Sequence, residues 1–84
     1  MQYVYILRSS SDKHLYVGCT SDLRKRIKLH NSSKVKSTKK RLPLTLIYYE
    51  AYHNKDDAYE REKFLKTGWG KRYIKKILFN YLHS

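Results

Sequence analysis

Two polar residues one helical turn apart, Arg26 and His30, stand where a helix would bury apolar side chains. From Leu23 to Asn31 the apolar stripe is Leu23 and Ile27, and at about 100° per residue Arg26 and His30 fall beside Leu23 on the inward side. Burying a guanidinium costs free energy unless something anionic meets it, so Arg26 either closes a structural ion pair or faces an anionic ligand. A histidine four residues on, along the same stripe, favours the ligand. A third group is out of place as well. In the helix around Glu62, Ala58 and Leu65 mark the buried stripe, Glu62 projects between them and Glu60 points roughly opposite. With Tyr5 and Tyr16 contributed by two strands, the set of two phenols, a guanidinium, an imidazole and a carboxylate suits phosphodiester cleavage.

Each member has a physical role in such a reaction. One carboxylate is too little to cage a metal alone, but Mg²⁺ commonly binds one or two carboxylates, keeps waters and takes its other oxygens from substrate phosphate. Metal, Arg26 and His30 would then stabilise charge on the transition state and the leaving oxygen. A tyrosine could deprotonate the attacking water or attack directly. At an ordinary pKa near 10 only about one phenol in a thousand is ionised at pH 7, a cost of roughly 4 kcal/mol, so something cationic must lower it. Arg26 or a metal-bound water is expected to do so. Tyrosines in strands are otherwise commonly there for β propensity and packing.

The elements that must position these groups are legible from period and punctuation. Gln2 to Arg8 is β-branched, aromatic or aliphatic and ends in Ser9-Ser10-Ser11-Asp12-Lys13, a strand and then a turn. A second strand from about His14 to Cys19 follows so closely that the pairing must be antiparallel. Val4 and Ile6 share a face opposite Tyr3, Tyr5 and Leu7, and Leu15 and Val17 lie opposite Tyr16 and Gly18. If the aliphatic pairs face the core, Tyr5 and Tyr16 share the other side. Ser21 or Asp22 caps the first helix, which should run to about Asn31.

Ser32 to Arg41 has no apolar period and reads as a basic loop, a solvated charge run or a phosphate-binding segment made of Lys34, Lys36, Lys39, Lys40 and Arg41. After Pro43, Leu44 to Tyr52 reads as a third strand, apolar on both sides and therefore central or covered on both faces. Asn54 caps a second helix with Asp56 and Asp57 in its first turn, and the helix should last until Gly68. Beyond Gly68-Trp69-Gly70 a third helix carries Trp69, Tyr73, Ile74, Ile77, Leu78 and Tyr81 at helical spacing, expected as core, with Lys71, Arg72, Lys75 and Lys76 outside. There is no internal repeat and no phosphate-binding Gly-rich loop.

Composition bounds the function. With 84 residues the chain is expected to form one domain with one small core, and 19 Lys and Arg against 7 Asp and Glu give a net charge of +12. Such a balance points to a polyanion, and nucleic acid comes before membrane because no strongly amphipathic basic helix or lipidation signal accompanies it. The single cysteine, Cys19, rules out an internal disulfide and a cysteine-rich zinc site, which suits a reducing compartment. The N-terminus has neither the basic region nor the long apolar run of a signal peptide or membrane span, so a cytoplasmic protein is expected.

Tyr3-Val4-Tyr5, then Tyr16-Val17-Gly18, then Arg26, His30-Asn31 and the helix Ala58-Tyr59-Glu60-Arg61-Glu62-Lys63-Phe64-Leu65-Lys66 together resemble the GIY-YIG nuclease superfamily, over nearly the whole chain. The likeness is greatest to its small stand-alone bacterial members. It implies an α+β fold, a three-stranded antiparallel sheet flanked by three helices, forming one nuclease domain over residues 1–84. By position, the resemblance implies active-site roles for Tyr5, Tyr16, Arg26 and His30 and a metal-binding role for Glu62. Two motif positions depart from the family: Tyr3 stands where a glycine is usual, and Cys19 follows the second motif where DNA-repair incision members carry a lysine. Asn31 and Asn80 are the two candidates for an asparagine near the site.

The expectation is therefore a Mg²⁺- or Mn²⁺-dependent DNA endonuclease, structure-selective and acting in DNA repair or processing on branched, nicked or single-stranded DNA. The alternatives are a non-catalytic nucleic-acid-binding module that uses the same residues to hold phosphate, and an accessory protein that docks its basic face on a larger nucleoprotein complex.

Overall fold

A computed structural model describes residues 1–84. The elements run β1 (Gln2–Ser9), β2 (Leu15–Thr20), α1 (Leu23–Asn31), β3 (Leu44–Tyr52), α2 (Lys55–Leu65), α3 (Gly68–Ile77) and α4 (Phe79–Leu82). The three strands form one antiparallel sheet in the order β2-β1-β3. The fold is α+β, a three-stranded sheet with four helices where three were expected. The difference lies at Leu78, where the last helical run breaks and resumes as the single turn of α4.

Alternation along β1 sorts its side chains onto two faces. Val4 and Ile6 join Val17, Ala58, Leu65 and Ile74 in a core beneath α2 and α3. Tyr5 and Leu7 join Leu44 on the opposite face, with Leu23 and Ile27 of α1 packed against them. Each fully buried aliphatic contributes about 1.5–3 kcal/mol, so this two-sided burial makes β1 the stabilising axis of the domain. Gly70 lets α3 approach the end of α2: a Cβ there would run into the Phe64 carbonyl and Leu65 backbone.

β3 is an edge strand, not a central one, and the other alternative holds: it is covered on both faces, by α1 and by α2. Its pairing with β1 shifts register between Ile6, opposite Tyr48, and Leu7, opposite Leu46, which leaves Ile47 as the extra residue of a bulge. Leu44 and Leu46 therefore pack on the α1 face, and Ile47, Tyr48 and Tyr52 on the α2 face. A strand that changes faces midway reads as apolar on both.

The caps follow the chemistry of helix ends. The Asp22 carboxylate, not Ser21, accepts from the Lys25 N–H at the start of α1, and Asn54 accepts from the N–H groups of Asp56 and Asp57. α2 stops at Leu65, short of Gly68, because Thr67 caps a new helix by accepting from Gly70 N–H. The expected aromatic core of α3 is corrected by the structure. Only Gly70 and Ile74 of α3 are buried, while Trp69 is 73% exposed and Tyr73, Ile77 and Tyr81 also face solvent. α3 puts only one narrow stripe into the core, and its aromatics instead meet side chains at the surface: Tyr73 packs against Phe64 and Arg61, and Trp69 lies under Arg72.

Between α2, α3 and β3 lies a polar network that periodicity did not mark. Arg61 clasps Glu50 through Nε and Nη2, at 2.9 and 3.0 Å, and Tyr48 and Tyr52 donate to the same carboxylate at 2.7 and 2.6 Å. The guanidinium also stacks over the Tyr73 ring, 4.7 Å from its centroid. Burial pushes the Glu50 carboxyl up, but the hydrogen bonds from Arg61, Tyr48 and Tyr52 outweigh it and hold it below its usual value. The two phenols, half-buried and bonded to that carboxylate, are pushed up to about 12.

Candidate active site

The α1 face of the sheet holds a chain of hydrogen bonds built on Tyr5. Its hydroxyl lies 2.9 Å from His30 Nε2, and Arg26 Nε–H donates to the same oxygen at 3.4 Å. The other ring nitrogen, His30 Nδ1, is 2.7 Å from Thr38 Oγ1, and the Thr38 hydroxyl donates to the Val35 carbonyl at 3.5 Å. With the Thr38 proton so placed, Thr38 accepts from Nδ1–H and Nε2 is left to accept from Tyr5 O–H; the network sets this tautomer. Tyr5, His30 and Thr38 are 1%, 0% and 0% exposed, a fully buried relay.

Register makes room for it. Tyr5 sits directly across from Gly18, and a Cβ at Gly18 would collide with the Tyr5 hydroxyl and ring, so the glycine lets the phenol lie over β2. Tyr16, on the same strand and face, contacts the cluster from the outside. Its ring meets the His30 ring edge-on at 5.2 Å and the Tyr5 ring at 6.5 Å, and Ser37 donates to its hydroxyl at 3.5 Å. Tyr16 is half-buried, the accessible member of the pair.

Electrostatics distinguishes the members. Burial pushes the Tyr5 phenol above its ordinary value, and the hydrogen bond and charge of Arg26 oppose that without overcoming it. The expected lowering by Arg26 is thus corrected for Tyr5. Burial and the neighbouring Arg26 charge hold His30 below its ordinary value, so it is neutral at pH 7 and able to accept a hydrogen bond from Tyr5. Arg26 is pushed up by its bond to Tyr5. The ion pairs of the molecule are Asp12 with His14 and Arg41, Glu50 with Arg61, and Glu62 with Lys66. No carboxylate meets Arg26: its neighbours are two phenols, and the structural-pair reading of this arginine does not hold.

Glu62 lies on α2, which packs on β1 and β2 from the other side of the sheet, yet its charge reaches the Tyr5 hydroxyl and helps raise it. The carboxylate is 21% exposed and bonded to Lys66 Nζ at 3.0 Å. No group of three or more His, Cys, Asp or Glu side chains converges anywhere in the chain. One accessible hard oxygen donor fits a cation that takes its other ligands from water and substrate phosphate, and does not fit a complete protein cage.

The basic loop is tied to this centre. Thr38 and Ser37 bond to His30 and Tyr16, so the loop that carries the exposed Lys34, Lys36, Lys39 and Lys40 is anchored at this centre. Arg41 differs: it pairs with Asp12 at 3.7 Å, and its carbonyl accepts from the buried Ser9 hydroxyl at 2.6 Å. Of the two asparagines, Asn31 exchanges hydrogen bonds with the Leu44 backbone at 3.0 and 2.9 Å and fastens α1 to β3, while Asn80 is exposed on α4. Thr38 and Ser37 escaped sequence reasoning because one Ser-Thr step in a lysine run carries no period.

Comparison with known proteins shows the family. The model of the GIY-YIG catalytic domain matches residues 1–75. UPF0213 protein CPE1444 of Clostridium perfringens is 46% identical over 67 residues, which cover 79% of this chain and 71% of that protein. UPF0213 protein SpyM50708 of Streptococcus pyogenes serotype M5 is 45% identical over 65 residues, 76% of this chain and 70% of that protein. No solved structure matches. A catalytic-domain model spanning nearly the whole chain, over a sheet that carries both tyrosine motifs, makes this protein a member of the GIY-YIG family of nuclease domains.

Proposed function

We propose that the protein is a divalent-metal-dependent DNA endonuclease acting on branched, nicked or single-stranded DNA in cytoplasmic repair or processing. The observation that carries this reading is Arg26, a half-buried guanidinium held between Tyr5 and Tyr16 with no carboxylate to neutralise it. A phosphate is the anion such a site accepts, because the guanidinium fork matches its oxygens.

The residues divide the work by exposure. Arg26 binds the scissile phosphate and stabilises charge that develops on it. Tyr16, the accessible phenol, is placed to act as the general base, its phenolate form taking the proton of the attacking water. Tyr5 and His30 lie behind and fix the guanidinium, the Tyr5 hydroxyl being held between His30 Nε2 and the Arg26 Nε–H. Glu62 holds Mg²⁺ or Mn²⁺, which when bound supplies Lewis-acid stabilisation of the phosphate oxygens. Lys34, Lys36, Lys39 and Lys40 supply sequence-blind affinity by neutralising phosphates.

Purified protein incubated with branched, nicked and single-stranded DNA should cut in Mg²⁺ or Mn²⁺ and stop on chelation. Binding to every DNA form without cutting in either metal would replace this reading with the non-catalytic binding module.

A further inference from the structure

An open cleft of about 620 Å³ runs from Tyr16 along the free edge of β2 to α3, outside the buried relay, with Arg41 at the end of the basic loop on its wall. Its floor is apolar, formed by Leu15, Val17, Leu65 and Ile74. Its rim is cationic: Lys13 from the hairpin turn, Lys66 from the end of α2, and Lys71 and Lys75 one turn apart on α3. No acidic side chain lines it. Of these four lysines only Lys66 has an ion-pair partner, and that partner is Glu62.

We infer that this cleft binds an unpaired nucleic-acid strand as it leaves the scissile phosphate, with sugars and bases on the aliphatic floor and phosphates on the lysine rim. Amphipathy argues for a nucleotide chain, since an apolar ligand would leave four lysines unused and a simple anion would leave the floor unused. Size argues against a duplex. A cleft of about 620 Å³ is of the order that encloses a small-molecule ligand, which is a nucleotide or two of one strand. The path is continuous, because Tyr16 belongs to the cleft wall and also touches His30 and Ser37 in the centre described above. The scissile phosphate from which the strand leaves rests on the nuclease reading; binding in the cleft does not.

The test is therefore a binding measurement without metal. A fluorescent dT oligonucleotide of about twelve nucleotides, within the span that single-strand-binding domains cover, is titrated with the wild type, with Lys71→Gln/Lys75→Gln, and with Arg72→Gln/Lys76→Gln on other faces of α3. The same titrations are run with a duplex of equal length, and melting curves confirm that the variants are folded. The cleft variant should bind dT about twenty-fold more weakly at 0.1 M salt, with the salt slope reduced by about 1.4, as expected for two lost single-strand phosphate contacts. The control should lose far less, and duplex binding by the cleft variant should change little. Unchanged dT affinity and slope in a folded cleft variant would overturn the inference, as would equal losses in the control or an equal loss for duplex. A wild type that binds dT in this way but never cuts would remove the nuclease reading and leave the strand path standing.

Discussion

Gly18 is the position at which one methyl group tests the geometry of the centre. Gly18→Ala places a Cβ against the Tyr5 hydroxyl, and Tyr5, fully buried between His30 and Leu7, has nowhere to retreat. Overpacking of this kind costs about 1–3 kcal/mol, so the variant should melt lower and lose cutting together. His30 carries a pH signature of its own. Its folded pKa lies below the ordinary 6.5, so below that pH the unfolded chain binds the proton first. The stability it contributes is complete above pH 6.5 and is lost as pH falls through the folded pKa. Melting temperature measured from pH 7.5 downward should drop more steeply for the wild type than for His30→Gln; parallel curves would mean that the imidazole titrates as it does in the unfolded chain.

Among the elements, α2 and β3 are joined by a charge pair that the candidate chemistry does not use. Glu50→Gln would strand Arg61 with only phenols and a ring face for company, and should cost about 3 kcal/mol, the low end for a buried pair, because both side chains keep some water. DNA binding by the folded fraction should be unaffected, which separates this network from the centre across the sheet. The same elements illustrate what patterning can and cannot reveal. Strict alternation of Val4 and Ile6 against Tyr5 and Leu7 was enough to divide β1 between two cores. In β3 the bulge at Ile47 breaks the period, and an edge strand took on the look of a central one. Arg26 and His30 were legible because a polar side chain on an apolar stripe has a local signature. Thr38, Ser37 and the Glu50–Arg61 clasp were not, because each acquires meaning only from a partner distant in sequence. For α3 the helical spacing of Trp69, Tyr73 and Ile77 was real, but spacing cannot say whether a neighbour exists to cover the stripe.

Seen whole, the molecule carries a net charge of +12, and no group of three or more His, Cys, Asp or Glu side chains converges in it. No helix is long and apolar enough to cross a membrane. The charge should appear as a steep salt dependence of DNA affinity, and Lys34→Gln/Lys36→Gln should flatten the slope for duplex DNA by about two units. An unchanged slope would make the loop a solvated charge run whose tie to Tyr16 is only structural. Because the loop and the β2–α3 cleft meet the centre through Ser37 and Tyr16, removing lysines from one should leave the contribution of the other intact.

The claim on which the rest depends is that Glu62 holds the metal that makes this centre a nuclease. Glu62→Gln keeps the shape of the side chain and removes its charge. Since Glu62 pairs only with Lys66, whose side chain is 53% exposed, the substitution should cost no more than about 1 kcal/mol of stability. The decisive measurement is the rate of Mg²⁺-dependent cutting by Glu62→Gln beside wild type and Glu60→Gln, with DNA affinity and melting recorded on the same preparations. Cutting should vanish in Glu62→Gln while binding holds or tightens and melting stays within a few degrees, and Glu60→Gln should match the wild type. A folded Glu62→Gln protein that cuts at the wild-type rate would contradict the metal assignment, and equal loss in Glu60→Gln would remove the special place given to Glu62.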